Sequence, residues 1–306
     1  MSARSTPLAY LSGRYLAVDQ AAIPIWDRGV VQAATVTEMI RTFRGIPFRL
    51  AEHLSRLRNS LNYLGVCLAE SDEKLCEISS QLIASNRHPG SSDLGIVIFA
   101  TPGAIPMYAG DIQHASSPTL CVHTFPLPVR SWATKYKSGQ SLVVPSIRQV
   151  SRDILSPQVK YRSRLHWYLA DREAHQIDSA AVALLQDEHG HLTETNSGNF
   201  LIVTNGRIQT PRSCDTLPGI SQAFVQELAN TLSIPYEEKD ISLSEALQAD
   251  EAFTTSTSYC LWPVTRINQQ SIGTGIPGPI TQALTQAWSG AVGFDITAPP
   301  AEDSPS

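Results

Sequence analysis

Apolar residues along the chain follow two different periods, which divide it into predicted strands and predicted helices. Short apolar runs at 94–100 and 180–185 are bounded by turn residues and predict buried strands. Between 51 and 64, leucines instead recur at spacings of three and four, which predicts an amphipathic helix. Because both periods recur along the chain, the pattern predicts a fold that mixes α-helices and β-strands.

The other predicted elements follow from the same patterns and from local turn and cap residues. A strand pair is predicted over 8–25, with its turn at Ser12-Gly13-Arg14, and a hairpin is predicted at Asn205-Gly206. Ser71 is a candidate N-cap. Further strands are predicted at 46–50, 119–125, 140–145, 200–203, 207–211, 234–239, 251–255 and 262–267, and further helices at 70–83, 165–177, 220–232, 242–247 and 280–288.

The length of 306 residues exceeds what one typical core accommodates and predicts two domains. We expect an N-terminal domain over 1–127, a proline-containing linker over 128–132 and a second domain over 133–295. The final segment, 296–306, is rich in proline and small polar residues and is predicted to be disordered.

Composition narrows the class of protein. Hydrophobic residues make up 42% and charged residues 17% of the chain, as in ordinary globular proteins. The net charge of −5 argues against a nucleic-acid partner, and no apolar run is long enough for a membrane span. The N-terminus lacks an apolar signal core, and the five scattered cysteines form no CxxC pair, which predicts free thiols, no metal site and a cytoplasmic protein.

The central stretch of the chain carries the candidate chemistry. Lys160 precedes a predicted helix and strand, and Glu194 then lies in a polar turn before the next strand. Each residue alone is most simply read as an exposed surface charge.

Lys160 together with the segment 194–200, Glu-Thr-Asn-Ser-Gly-Asn-Phe, resembles the centre of the class IV, fold type IV, pyridoxal phosphate (PLP) enzymes. This family includes branched-chain and D-amino-acid aminotransferases, (R)-amine transaminases and aminodeoxychorismate lyases. The segment 27–48 is also similar, through Asp-Arg-Gly, a glutamate, Ile-Arg, a glycine and Pro-Phe in order. The resemblance covers 8–288 and implies an α/β (α+β type) homodimer, with a smaller N-terminal α/β domain and a larger C-terminal domain of mixed sheet and barrel.

The resemblance also implies roles for particular residues. Lys160 would form an imine with PLP and move a proton, and Glu194 would face the pyridine nitrogen, which lets the ring act as an electron sink. Guanidinium, hydroxyl and helix N-terminal groups suit phosphate. The implied phosphate and cofactor residues are Arg56 of a His-x-x-Arg-Leu pattern, Leu217, Ile220 and Ser221 of a Leu-x-Gly-Ile-Ser segment, and Ser256 and Thr257.

Six residues at four places in the chain depart from the family pattern. Ala33-Ala34-Thr35 replaces a Gly-Asp-Gly-like trio, and Thr37 replaces a phenylalanine. Pro102 occupies a place where relatives carry an arginine for the substrate carboxylate, and Leu165 a place where branched-chain members carry a tyrosine. Candidate replacements are Arg162 or Arg164 for the arginine, although each is slightly better explained as surface charge, and Tyr161 or Tyr168 for the tyrosine.

The predicted function is therefore ping-pong transamination between an amino donor and a 2-oxo acid, with a branched-chain donor preferred. The alternatives are a PLP lyase similar to aminodeoxychorismate lyase, a D-amino-acid or amine transaminase, and a non-catalytic relative.

Overall fold

The computed structural model describes residues 6–87, 93–110 and 117–298. The chain divides into two compact units, each described separately below. The first unit comprises Met1–Leu127 together with Val159–Ser163, and the second comprises Pro128–Gln158 together with Arg164–Ser306.

The first unit is built on an antiparallel six-stranded sheet in the order β2-β1-β6-β5-β3-β4. Its strands are β1 Leu8–Leu11, β2 Arg14–Ala17, β3 Val36–Phe43, β4 Ile46–Pro47, β5 Leu94–Thr101 and β6 Thr119–Pro126, and its helices are α1 Arg28–Val31, α2 Leu50–Leu64, α3 Asp72–Asn86 and α4 Pro106–Ala109.

Helices α2 and α3 supply the core of the first unit. Their apolar faces, which include Leu57 and Ile78, form one buried cluster with alternate residues of the central strands, such as Ile40 and Ile98. The predicted N-cap of α3 is confirmed, because the hydroxyl of Ser71 accepts a hydrogen bond from the N–H of Lys74 at 3.3 Å.

The second unit contains a mixed sheet that closes on itself. The strands follow the order β12-β11-β10-β13-β14-β7-β8-β9, and β9 also pairs with β10, so the six strands from β10 to β9 form a closed ring. The strands are β7 Gln140–Val143, β8 Val182–Gln186, β9 Leu192–Thr195, β10 Asn199–Thr204, β11 Arg207–Thr210, β12 Tyr236–Glu238, β13 Glu251–Ser256, β14 Cys260–Ile267 and β15 Gln270–Ser271, and the helices are α5 Val129–Ser138, α6 Leu165–Ile177, α7 Ile220–Thr231, α8 Leu243–Leu247 and α9 Pro279–Val292.

Leu184, Phe200 and Ile202 belong to the main buried cluster of this unit. On another face, α6 packs Trp167 and Ala170 against β8 residues such as Leu185. The predicted hairpin at Asn205-Gly206 is confirmed, with positive φ values of 51° and 73° at its two turn residues. The predicted mixed α/β fold with a barrel in the second part of the chain is therefore correct.

Several predicted boundaries were wrong. Residues 18–25 do not extend the first strand pair, because Val18–Gln20 forms a 3-10 turn and Pro24 follows it. The predicted linker, 128–132, lies mostly within α5. Most of the predicted tail lies outside the described residues, but Ile296, which was placed in the tail, is buried.

Two general features of the described residues bear on the class of protein. Over these ranges, no helix is long and apolar enough to cross a membrane, and no cluster of histidine, cysteine and acidic residues could hold a metal ion. All five cysteines are free thiols.

Candidate active site

Lys160 lies in the first unit and not, as predicted, in the second. Its backbone fixes its position, since its N–H donates to the hydroxyl of Ser60 in α2 at 3.2 Å and its carbonyl accepts from the N–H of Thr37 in β3 at 2.8 Å. The adjacent Tyr161 forms a β-bridge with Val36. The lysine therefore stands beside β3, held by contacts far away along the chain.

Arg56, in α2, is buried. Its Nε donates to Oε1 of Glu38 at 2.7 Å and its Nη2 to Oε2 at 2.8 Å. Burial alone would raise the pKa of Glu38, but the charge and hydrogen bonds of Arg56, with a hydrogen bond from His53, lower it to about 2. The Glu38 carboxylate is therefore ionised at neutral pH.

Glu194 lies in β9 and not in the preceding turn, where the sequence had suggested it would be. Its Oε2 accepts a hydrogen bond from the backbone N–H of Leu217 at 3.2 Å, and its Oε1 accepts one from Nε2 of Gln149 at 3.3 Å. Oε1 of Gln149 lies 3.2 Å from Nε2 of His166. The structure thus brings together two predicted cofactor residues, Glu194 and Leu217, and orients the carboxylate by amide donors.

Asn199 connects the predicted segments of the second unit. In β10 it pairs with Glu194 of β9 on one side and with Thr255 of β13 on the other. Its side-chain amide donates to the carbonyl of Leu217 at 2.8 Å. A Cβ added at Gly219 would lie 2.0 Å from Asn199 Oδ1, so only glycine allows this close approach.

Hydrogen-bond donors suited to binding an anion lie at the start of α7 and at the end of β13. Helix α7 begins at Ile220, and its N-cap, Gly219, makes no side-chain capping bond, while Ser221 in the first turn is buried. At the end of β13, the hydroxyls of Ser256 and Ser258 lie 3.1 Å apart. Thr257 follows Ser256 in the turn and is half-buried.

Thr255 adds an unsatisfied group to the same strand end. Its hydroxyl is buried and has no hydrogen-bond partner within the described ranges. A buried hydroxyl of this kind normally finds a partner, which is consistent with a polar ligand beside it.

One residue that departs from the family pattern and the two candidate replacement arginines each have defined contacts in the structure. Thr37 donates through its hydroxyl to the carbonyl of Ile98, which holds β3 to β5. Arg162 is exposed and its guanidinium stacks over the Phe99 ring at 4.6 Å. Arg164 instead donates to the carbonyl of Asn196 in the second unit.

The two candidate tyrosines also differ. Tyr161 packs against the first core, whereas Tyr168 and Leu165 are exposed on α6. Arg162 thus lies with Lys160 in the first unit, while Arg164 has a structural contact of its own.

Four residues of the site had no predicted role. Glu38 belongs to the family-like segment 27–48 and His53 begins the His-x-x-Arg-Leu pattern, but nothing local to either residue shows that His53 and Arg56 both contact the Glu38 carboxylate. Gln149 and Asn199 are ordinary polar residues in the sequence. A partial signal existed in the spacing of His53 and Arg56, which places both on one face of a helix.

Comparison with known proteins identifies the family to which the chain belongs. Residues 35–267 match the family described as Amino-transferase class IV. The chain belongs to the class IV aminotransferases. This aminotransferase is 30% identical over 283 residues to the D-alanine aminotransferase of Bacillus licheniformis, with 92% of this chain and 95% of that protein covered.

Solved structures give the same fold. The T.th. branched-chain amino acid aminotransferase complexed with N-(5'-phosphopyridoxyl)-L-glutamate matches with a TM-score of 0.82 at 23% identity, covering 94% of this chain and 95% of that one. The branched-chain amino acid aminotransferase from Escherichia coli matches with a TM-score of 0.82 at 23% identity, covering 93% and 94%. These matches confirm the fold type IV prediction, and at this identity they show the fold alone.

Class IV aminotransferases are transferases that use PLP, and the residues of this chain fit that cofactor. The first unit offers an amine on Lys160 and a guanidinium on Arg56. The second offers a carboxylate on Glu194, buried hydroxyls, and a helix N-terminus without a side-chain cap. An aldehyde, a phosphate and a basic ring nitrogen would each find a group of matching chemistry.

Proposed function

We propose that this aminotransferase moves an amino group from an amino acid, with a branched-chain donor preferred, to a 2-oxo acid by a ping-pong reaction. The observation that carries the proposal is the register of the second unit. It sets Glu194, Asn199 and Thr255 side by side on three strands, with Leu217 tied to the first two. That arrangement gathers one carboxylate and a set of anion donors at the same strand ends.

Each proposed residue has a task that follows from its surroundings. PLP supplies the electron sink when it is bound. Lys160 would carry the cofactor covalently until the amino group of the donor takes its place, and the freed amine of Lys160 would then move the proton of the donor's α-carbon. Glu194, held by two amide donors, would keep the ring nitrogen protonated.

The phosphate would bind Arg56, the first turn of α7 at Ile220 and Ser221, and the turn at Ser256 and Thr257. Hydroxyls, a guanidinium and backbone N–H groups together suit a dianion. Leu217 serves the ring through its N–H bond to Glu194.

The preference for a branched-chain donor is supported by the outer face of the sheet in the first unit. Phe99 belongs to an apolar cluster there, the half-buried side chains of Met39 and Ile23 pack against this cluster, and Arg162 stacks on Phe99. An apolar surface beside a cation suits a substrate with a hydrocarbon side chain and a carboxylate. Arg162 is accordingly our proposed carboxylate residue in place of the arginine replaced by Pro102.

A second candidate is transamination of D-amino acids, which is favoured by the 30% identity to a D-alanine aminotransferase. When the α-proton points to Lys160, L- and D-amino acids place their carboxylate and side chain in exchanged positions, so the enantiomer consumed separates the two candidates.

The test is a spectroscopic half-reaction screen on the PLP-loaded full-length protein. L-leucine, L-valine, D-alanine and an (R)-amine are supplied separately, and the bound cofactor's absorbance is followed without an acceptor. Conversion with L-leucine, followed by recovery with a 2-oxo acid, supports the proposal, whereas conversion only with D-alanine selects the second candidate. Pyruvate release from aminodeoxychorismate without any acceptor would reveal a lyase instead.

We also propose that the protein is a homodimer. In the first unit, the N–H of Arg28 donates to the carbonyl of Gly103 at 2.9 Å, which ties two neighbouring segments together. These segments display exposed apolar side chains, and exposed apolar patches mark interaction sites. The residues are Ile25, Val30, Val31, Met107 and Tyr108.

The mass of the protein in solution tests the dimer. The expected value is twice the chain mass, and Met107→Glu should shift it toward the monomer. Ile46→Glu is the matched control, because Ile46 is a comparably exposed apolar residue in the same unit. A monomeric wild-type protein would contradict the proposal. The cytoplasmic location inferred from the sequence stays a prediction.

A further inference from the structure

A buried carboxylate that the mechanism does not use lies beside the proposed phosphate residue. Glu38 in β3 has 0% of its surface exposed and contacts Arg56 through two parallel hydrogen bonds of 2.7 and 2.8 Å. A bidentate contact of this kind fixes both the position and the plane of a guanidinium. Since the contact uses Nε and Nη2, it also fixes the direction in which the Nη1 end points.

A third residue holds the carboxylate in turn. Nδ1 of His53 lies 2.7 Å from Oε2 of Glu38, and because an ionised carboxylate only accepts hydrogen bonds, Nδ1 carries the proton. Burial, with the charges of Arg56 and Lys160, outweighs the raising effect of Glu38 and lowers the pKa of His53, so the ring is neutral at pH 7. Its Nε2 is buried without a hydrogen-bond partner among the residues described.

Such a trio is a poor way to stabilise a core. Removing two charges from water costs about as much as their attraction returns, and apolar residues of similar volume often serve equally well. The trio does, however, give Arg56 one conformation. His53 and Arg56 project from the same face of α2, and Glu38 reaches them from β3, so three side chains from two elements define one guanidinium orientation.

We propose that Glu38 is a positioning residue that fixes the Arg56 guanidinium for the phosphate group of the cofactor. This inference rests on the proposed function, in which Arg56 binds that phosphate. Glu38 has no exposed surface with which to contact a ligand, so its effect should appear in recognition of the phosphate through Arg56 and not in recognition of the ring.

The experiment compares the affinities of the full-length protein for PLP and for pyridoxal. Both compounds carry the aldehyde and the ring nitrogen, so the ratio of their affinities isolates the contribution of the phosphate to binding. In Glu38→Gln, which keeps the shape but removes the charge, we expect PLP affinity to fall by about tenfold to a hundredfold. Pyridoxal affinity should change by less than about threefold.

Two variants make the result specific. Asp27→Asn removes another buried carboxylate of the same unit, which accepts from Thr101 and Thr119, and it should leave the ratio unchanged. In an Arg56→Met background, Glu38→Gln should not lower the ratio further, because the guanidinium it orients is gone.

Each outcome decides the matter. A wild-type ratio in Glu38→Gln overturns the inference, as does tighter PLP binding, which would show that Glu38 competes with the phosphate. Equal losses for both ligands, matched by Asp27→Asn, would reduce Glu38 to a structural role. A wild-type protein that does not prefer PLP over pyridoxal would remove the proposed phosphate site itself, whereas a normal wild-type preference that survives in Glu38→Gln removes only this inference.

Discussion

The contact between Gly219 and Asn199 allows a quantitative test of how the second unit holds its anion donors. The backbone of Gly219, with φ −71° and ψ 125°, is ordinary for any residue, so Gly219→Ala introduces no backbone strain. The new methyl group would nevertheless lie 2.0 Å from Asn199 Oδ1 and 3.0 Å from its Cγ. The amide must therefore move.

The cost follows from two contributions. Overpacking of a tight contact costs about 1–3 kcal/mol. Moving the amide also breaks its 2.8 Å bond to the Leu217 carbonyl, which contributes about 1 kcal/mol. We expect Gly219→Ala to lower the free energy of unfolding by about 2–4 kcal/mol in total. PLP binding should weaken as well, because the Leu217 N–H that holds Glu194 lies in the displaced segment.

The assay is urea unfolding of the cofactor-free protein, together with titration by PLP. In Asn199→Ala only the 3.2 Å contact with Gln222 Cβ remains, so adding Gly219→Ala should lower the free energy of unfolding by about 1 kcal/mol or less, partly offset by restriction of the unfolded chain. Gly290→Ala in α9 is the matched control, since an added Cβ there meets nothing within 4 Å. Additive losses in the double variant, or a Gly219→Ala protein as stable as the control, would refute the reasoning.

The other predictions concern catalysis, the first core and pH. Lys160→Ala should abolish turnover and the absorbance of lysine-bound cofactor. Glu194→Ala should retain PLP but lose about a hundredfold in rate, because the ring nitrogen loses its preorganised partner. Leu57→Ala, at a fully buried position of α2, should cost about 2–5 kcal/mol in urea unfolding. The depressed pKa of Glu38, about 2 against 4.5, gives stability that is present above pH 4.5 and lost as the pH falls towards 2. Between about pH 6 and about pH 2.5, the free energy of unfolding should fall by on the order of 3 kcal/mol more in wild type than in Glu38→Gln.

Controls for these variants come from the same chain. Lys74→Ala removes an exposed lysine of α3 and should change neither the turnover rate nor the absorbance of the bound cofactor. Full activity of Lys160→Ala, or an unchanged rate in Glu194→Ala, would contradict the proposed roles. A Leu57→Ala protein with wild-type stability would mean that α2 does not supply the core, and identical acid profiles would exclude an ionised Glu38 in the fold.

Local signals in the sequence were sufficient for most elements. The leucine spacing located α2, and Asn205-Gly206 located a hairpin whose turn requires positive φ at both residues. The Ser71 cap located the start of α3. Each of these depends on neighbours within a few residues, which is the range over which a sequence pattern is read.

Contacts between residues far apart in the chain could not be predicted from such local patterns. The attachment of Lys160 to the first unit depends on Thr37 and Ser60, both about a hundred residues away. The pairing of Glu38 with Arg56 depends on how α2 packs on β3. The sequence could therefore suggest which residues bind the cofactor, but not which partners orient them.

The short segment Val159–Ser163 has a consequence for dissecting this protein. It completes the first unit by lying along the outer edge of β3, where the Thr37 N–H meets the Lys160 carbonyl and Val36 bridges Tyr161. A fragment cut after Leu127 would expose those main-chain donors and acceptors as an open strand edge, a surface on which other chains assemble. We therefore expect that excised piece to aggregate unless the missing pentapeptide is spliced back onto it.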